Sequence, residues 1–228
     1  MSAITLRAHD VEGDYAFTST TIFRSPTVKV IAEASDGTSD AYYIHRDTLV
    51  STGGYFGGLL TGPWRENSTQ EVTIKDVNKA AFSRLVAFLY CMDIPNENPA
   101  ERIKDWILAD RFQYKSYMES QIIWWWTYYI EDPNDVSGIY IPVHFDTLQM
   151  VLRDTMQGAK LRSVMAYAVF LGHLVRETVS IGEWASFLAE EPEFTYQISY
   201  MGIKHHMMNG LFMLDDFLCF DDNDYMRM

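Results

Sequence analysis

The chain has 228 residues, of which 48% are hydrophobic and 21% charged, a globular composition that can bury a complete core and excludes large unstructured parts. Eighteen Lys and Arg against 31 Asp and Glu leave a formal net charge of −13. Because no stripe of Lys and Arg interrupts this negative field, direct binding to nucleic acid is excluded. The two cysteines, Cys91 and Cys219, lack the partner spacing of a zinc site.

The composition also indicates a compartment. With 12 Met, two Cys and no secretory leader pattern, the chain is expected to be intracellular, in the cytoplasm or the nucleus. Its longest apolar run, Ile122–Ile130, has nine residues, whereas a membrane span needs about 20. No Lys or Arg lies between Gln121 and Ile130, as a membrane-surface helix would require, so no membrane contact is expected.

The first third of the chain begins with a hairpin pattern. Residues 1–24 show no periodicity and are predicted to be a loosely ordered lead-in. Alternating residues predict a strand at Thr27–Ala32, and Asp36-Gly37 supplies turn chemistry before a second strand at Ala41–Ile44.

Two short helices are predicted next, at His45–Thr52 and Tyr55–Thr61. Each glycine in a helix interior costs about 1 kcal/mol relative to Ala, so tertiary packing must stabilise this stretch. Either the small residues let another backbone approach closely, or the helix is flexible or broken. The glycines are Gly53, Gly54, Gly57 and Gly58.

A third strand and a capped helix follow. Alternation predicts the strand at Glu71–Ile74, and Asn78 can cap a helix with an apolar stripe at i, i+3, i+4 and i+7. The stripe consists of Phe82, Leu85, Val86 and Leu89.

Beyond residue 95 the periodicities predict only helices. Asn98-Pro99-Ala100-Glu101 combines a capping Asn, a first-turn Pro and a Glu at the third position. Further helices are predicted at Tyr117–Tyr129, Thr147–Thr155 and Leu161–Arg176, after Ser180, and from Pro192 to Asn209-Gly210. The predicted division is an α+β unit at 25–95, an all-α extension at 96–210 and an acidic tail at 211–228.

The aromatic block Trp124–Tyr129 cannot fit on one helical face, because it contains three consecutive Trp. Either a second helix covers it or it marks an exposed interface. Coverage by the C-terminal helices is the prediction.

The order of short patterns in the first third resembles a BTB/POZ domain. The patterns are a strand, His45 with Leu49, Tyr55-Phe56, Trp64 with Glu66, a strand before Asp76-Val77, and Phe82 through Tyr90. Ile107–Phe112 is similar to the segment that follows this domain, and Leu161 through Phe194 resembles the helical tail of fungal members. The resemblance implies a BTB/POZ fold, a small three-stranded sheet with a helical cluster, before the all-α extension.

The resemblance implies a protein-interaction module that acts as an adaptor or scaffold. In adaptor members it implies contact with the cullin scaffold of a ubiquitin ligase, here through an apolar surface at Phe56, Leu60 and Trp64 with Glu66 at its rim. The alternative for Trp64 is packing on its own domain. The alternative function is an oligomerising regulatory scaffold, with a homodimer as the expected species and no ligase role. Residues 1–24 show no match to the dimerising N-terminal helix of many animal members.

Catalysis and cofactors are not expected. No Gly-x-Ser-x-Gly, Gly-x-Gly-x-x-Gly or Walker pattern occurs, so no catalytic residue, cofactor or metal is predicted. His45 is predicted to be a hydrogen-bonded structural residue.

Overall fold

A computed structural model describes residues 24–92, 98–129, 143–171 and 181–207. The predicted lead-in, except for Arg24, and the acidic tail lie outside these residues.

A three-stranded sheet forms the centre of the first unit. Strands β1 (Thr27–Glu33) and β2 (Ser39–His45) pair antiparallel, and β3 (Glu71–Ile74) pairs parallel to β1, giving the order β2-β1-β3. The hairpin turn is held by Asp36, whose carboxylate accepts from the Thr38 N–H at 2.9 Å. Inward-facing residues alternate along β1 as predicted, with Val28, Val30 and Ala32 fully buried.

Three short helices make the crossover from β2 to β3. They are α1 (Arg46–Ser51), α2 (Gly54–Thr61) and α3 (Arg65–Thr69), and the periodicity predicted only the first two. Gly54 has φ +46°, and a Cβ there would meet the carbonyl oxygens of Phe112 and Gln113. The close-approach explanation for the glycines therefore applies at Gly54, where the Tyr55 N–H donates to the Phe112 carbonyl at 3.0 Å.

The remaining helices are α4 (Lys79–Leu89), α5 (Pro99–Arg111), α6 (Lys115–Tyr129), α7 (Phe145–Asp154), α8 (Lys160–Val169), α9 (Ile181–Glu190) and α10 (Pro192–Met207). Both predicted caps are confirmed: Asn78 accepts from Ala81 N–H at 2.9 Å, and Asn98 from Glu101 N–H at 3.1 Å. The predicted helix at 161–176 ends at Val169 as an α-helix, and its last five residues lie outside the described part.

One continuous core joins the sheet unit to the extension. Helix α7 contacts α5, and α8 contacts both α6 and α10. The aromatic block is covered as predicted, because Trp125 and Trp126 are buried and Trp126 stacks on Tyr167 of α8 at 5.8 Å between ring centroids. The fold is α+β followed by all-α, as the sequence predicted.

Candidate protein-binding surface

The connection between α2 and α3 presents a large aromatic side chain to solvent. Trp64 precedes α3 in an extended conformation and is 60% exposed. Its indole lies against the backbone of Gly62, since a Cβ at Gly62 would be 2.8 Å from Cδ1 and 2.9 Å from Nε1. Glycine at position 62 is therefore what leaves room for this ring orientation.

Two polar side chains hold the same connection in place. Arg46 donates from Nη2 to the Leu60 carbonyl at 2.7 Å and to Asn67 Oδ1 at 3.3 Å. Asn67 in turn donates from Nδ2 to the Gly62 carbonyl at 3.0 Å. The backbone beneath Trp64 is thus tied to α1 and α3, so the indole is displayed on a fixed base.

Phe56 and Leu60 lie in the core, which corrects the expectation that they form part of the surface. Phe56 is 2% exposed and Leu60 is fully buried. The two are four residues apart and share one face of α2, and that face turns inward. The Phe56 ring packs 5.0 Å from the ring of Phe112 at the end of α5. Their role at this surface is to anchor α2 beneath it.

Glu66 acts electrostatically on a second partly exposed aromatic, Tyr55. Tyr55 stacks on Phe112 at 5.5 Å between centroids. Burial raises the pKa of the Tyr55 phenol, the negative charge of Glu66 raises it further, and Arg111 opposes both. The phenol therefore stays neutral at physiological pH and can donate a hydrogen bond to a partner. The surface that we call the Trp64 surface consists of Tyr55, Trp64 and Glu66.

Sequence reasoning identified Trp64 and Glu66 but missed the residues that position them. Gly62, Arg46 and Asn67 act through contacts between separate elements, and only the turn-forming pair Gly62-Pro63 gave a local signal.

His45 is hydrogen-bonded, as predicted. Its backbone N–H donates to the Tyr90 hydroxyl at 3.0 Å, and its Nδ1 lies 2.9 Å from the same oxygen. These contacts join the end of β2 to the end of α4.

Within 24–92, 98–129, 143–171 and 181–207, no helix is long and apolar enough to cross a membrane. The same residues contain no cluster of three or more His, Cys, Asp or Glu side chains suited to a metal ion.

A small sheet in a helical cluster, with a positioned aromatic on its surface, suits a protein-interaction domain. Residues 27–121 match the BTB/POZ domain family, so this part of the chain is a BTB/POZ domain. The match continues through α5 and into α6, beyond the predicted boundary at residue 95. No curated protein matches the sequence.

Proposed function

We propose that the chain is an intracellular adaptor whose Trp64 surface binds a cullin scaffold and so brings a protein partner to a ubiquitin ligase. The observation that carries the proposal is the exposure of Trp64 on a base fixed by Gly62, Arg46 and Asn67. Burying an aromatic that is already positioned gains a large apolar area at small cost in side-chain entropy.

Glu66 supports the same proposal by its position. It is the second residue of α3, it is half-buried, and its charge acts on the Tyr55 phenol, so the surface combines an aromatic anchor with an acidic and hydrogen-bonding rim. This is the usual anatomy of a specific interface, in which an aromatic anchor is surrounded by polar groups.

A pull-down with purified cullin tests the proposal, using wild type, Trp64→Ala/Glu66→Ala and the control Tyr196→Ala, which removes an exposed aromatic from α10. Wild type and the control are expected to bind, while the double variant loses affinity by about 30-fold or more, as loss of a hot spot of about 2 kcal/mol implies. Thermal melting should show all three folded. Absence of binding by wild type, or equal binding by all three, removes the ligase role.

The outer face of the sheet favours a second proposal, an oligomerising regulatory scaffold without a ligase role. Tyr43 on β2 is 67% exposed and lies across the strands from Lys29, which pairs with Glu71 at 3.3 Å. An exposed aromatic beside two opposite charges suits a self-complementary homodimer contact. Light scattering over a range of concentrations should then show a dimer that Tyr43→Ser weakens; a strict monomer removes this alternative.

A further inference from the structure

Strand β2 lies at the edge of the sheet. Among the described residues the strand order is β2-β1-β3, so β2 has a paired neighbour on one side only. Its first three residues, Ser39, Asp40 and Ala41, are exposed, and so is Tyr43 further along. An edge strand presents backbone N–H and C=O groups to which another strand can pair.

Hydrogen bonds at both ends of the hairpin fix which residues of β2 point to this edge. The Ala34 N–H donates to the Thr38 carbonyl at 2.8 Å, and the Arg46 N–H donates to the Pro26 carbonyl at 2.8 Å. Hydrogen-bonded pairs in an antiparallel ladder recur at every second residue, and the register between these two bonds is continuous. The even-numbered residues of β2 therefore bond to β1. The backbone groups that point away from β1 belong to Ser39, Ala41, Tyr43 and His45.

One end of this edge is already closed. The His45 N–H donates to the Tyr90 hydroxyl at 3.0 Å, and the two rings are in edge contact at 5.9 Å between centroids. Among the described residues, none bonds to the outward backbone groups of Ser39, Ala41 or Tyr43. These three residues form what we call the open edge of β2.

A second copy of the chain fits the open edge under a two-fold axis. Two identical antiparallel strands are self-complementary, because each contact that one copy makes is repeated by the other. One register uses all three open residues: Ala41 lies opposite Ala41 of the second copy, and Ser39 lies opposite Tyr43. Sliding the strands one way would require the His45 N–H, which Tyr90 already binds. Sliding them the other way would place Tyr43 opposite the hairpin turn.

The side chains of β2 suit this register. Ala41 lies at the two-fold axis, where its small side chain leaves room for the second copy. The exposed ring of Tyr43 lies opposite a small residue, Ser39. On the other face Asp40 lies opposite Tyr42 rather than another carboxylate, and Lys79 already pairs with Asp40 at 3.5 Å. No like charges are therefore directly opposite each other, an arrangement that would destabilise the pairing.

We propose that two copies of the chain pair their β2 strands in this register and so join two three-stranded sheets into one continuous sheet. The inference deepens the homodimer proposal and rests on it, and it is independent of the Trp64 surface and of any ligase role. Backbone hydrogen bonds at Ser39, Ala41 and Tyr43 then hold the dimer together, with the Tyr43 ring as its largest side-chain contact.

Ala41→Pro tests the contribution of the open edge. It removes an N–H that makes no bond to β1 and places a ring in the path of a second strand, and proline is tolerated at such edge positions. Ala41→Thr keeps the N–H and favours a strand, so it is the matched control. Sedimentation of the full chain should show wild type and Ala41→Thr as dimers. The dissociation constant of Ala41→Pro should rise about tenfold or more, because two backbone hydrogen bonds are lost.

Disulfide trapping tests the register, in a background where Cys91 and Cys219 are replaced by Ser. In the proposed dimer the two Cα atoms at position 41 lie about 5.5 Å apart, a separation that a disulfide spans. Ala41→Cys should therefore form a covalent dimer. Ser39→Cys is the matched control and should not, because the two copies of position 39 lie about 14 Å apart along the strands.

Three outcomes overturn the proposal. A strict monomer at every concentration removes it together with the homodimer proposal. A dimer that Ala41→Pro leaves at wild-type affinity keeps the homodimer and places its contact elsewhere. Equal trapping of Ala41→Cys and Ser39→Cys rules out the register. The trapping variants keep every backbone N–H, so they decide the question even where thermal melting shows that Ala41→Pro is poorly folded.

Discussion

Arg84 and Asp105 form an ion pair inside the core that joins α4 to α5. Asp105 is fully buried and Arg84 is 7% exposed. Arg84 Nε donates to both carboxylate oxygens at 2.9 Å, and Nη2 lies 2.8 Å from Oδ1. Nη2 also contacts the carboxylate of Glu101 at 3.1 Å, at the edge of the core. The substitution Asp105→Ala removes the buried carboxylate and leaves the guanidinium charge in the interior.

Removing one partner of a buried ion pair costs about 3–5 kcal/mol, and the lower end applies here because Arg84 keeps Glu101 as a second carboxylate partner. With a slope of about 2–3 kcal/mol per molar urea for a chain of this size, the urea midpoint of Asp105→Ala should fall by roughly 1–2 M. Tryptophan fluorescence is a suitable readout, since Trp106 is buried next to Asp105 in sequence.

The double variant Arg84→Met/Asp105→Leu separates two free energies, the cost of leaving one buried charge without its partner and the net contribution of the ion pair to stability. Burial raises the pKa of the Asp105 carboxyl despite the hydrogen bond from Arg84, so desolvation outweighs the attraction on the carboxylate side. On the other side, the carboxylates of Asp105 and Glu101 raise the pKa of Arg84 in spite of its burial, so gain and cost are close for the pair. The double variant should therefore recover to within about 1 kcal/mol of wild type.

The exposed pair between Arg153 and Asp154, at 2.7 Å, provides a matched control. Asp154→Ala should leave the urea midpoint unchanged, because solvent screens the pair. The reasoning is refuted if Asp105→Ala shifts the midpoint no more than Asp154→Ala does. It also fails if the double variant is as unstable as Asp105→Ala.

Three further predictions concern local features. The pKa of Glu101 is lowered from its usual 4.5, first by the hydrogen bond from Lys104, so its stabilising contribution is present above pH 4.5 and is lost as pH falls through the folded-state value. The urea midpoint of Glu101→Gln should be lower than that of wild type at neutral pH and should fall less as the pH is lowered. A midpoint that depends on pH as steeply as that of wild type contradicts this. Gly54→Ala should lower the free energy of unfolding by about 2 kcal/mol or more, because φ is positive there and the new Cβ would clash with the Phe112 carbonyl oxygen. Gly58→Ala should raise it by about 0.5–1 kcal/mol, because a Cβ at this helical position meets open space. Thermal melting decides the two signs. Cys91 lies after α4 with φ 53°, a conformation that favours glycine. Cys91→Gly should therefore raise the free energy of unfolding by about 1 kcal/mol, and a decrease measured by calorimetry would contradict this.

Local patterns were sufficient to predict most of the elements. Alternation along β1 reports a sheet with one buried face, and the caps at Asn78 and Asn98 depend on bonds spanning only three residues. Helix α3 was not predicted, because Arg65–Thr69 is too short to show a helical periodicity of apolar residues and none of its residues is buried. It is held instead by contacts with α2 and β3.

The candidate surface was only half predictable, because burial depends on what packs against a residue. Phe56 looks like an exposed aromatic in sequence, yet Phe112, far along the chain, covers it. The positioning of Trp64 by Gly62 depends on a backbone conformation that no periodicity encodes. The buried ion pair between Arg84 and Asp105 likewise cannot be predicted from the sequence, because it forms only when α4 and α5 pack side by side.

Phe112 connects the crossover helices to the helices that follow the sheet. Its carbonyl accepts the Tyr55 N–H, its ring packs on Phe56, and a T-shaped contact at 6.2 Å joins it to Phe82 of α4. Phe112 follows α5 directly, and α5 contacts α7, so the crossover helices share one core with the extension. The helices that carry Trp64 and α10 therefore belong to one packed body. Because packed interiors resist deformation, a partner that binds at Trp64 as proposed would be held at a fixed distance from the helical extension rather than through a flexible linker.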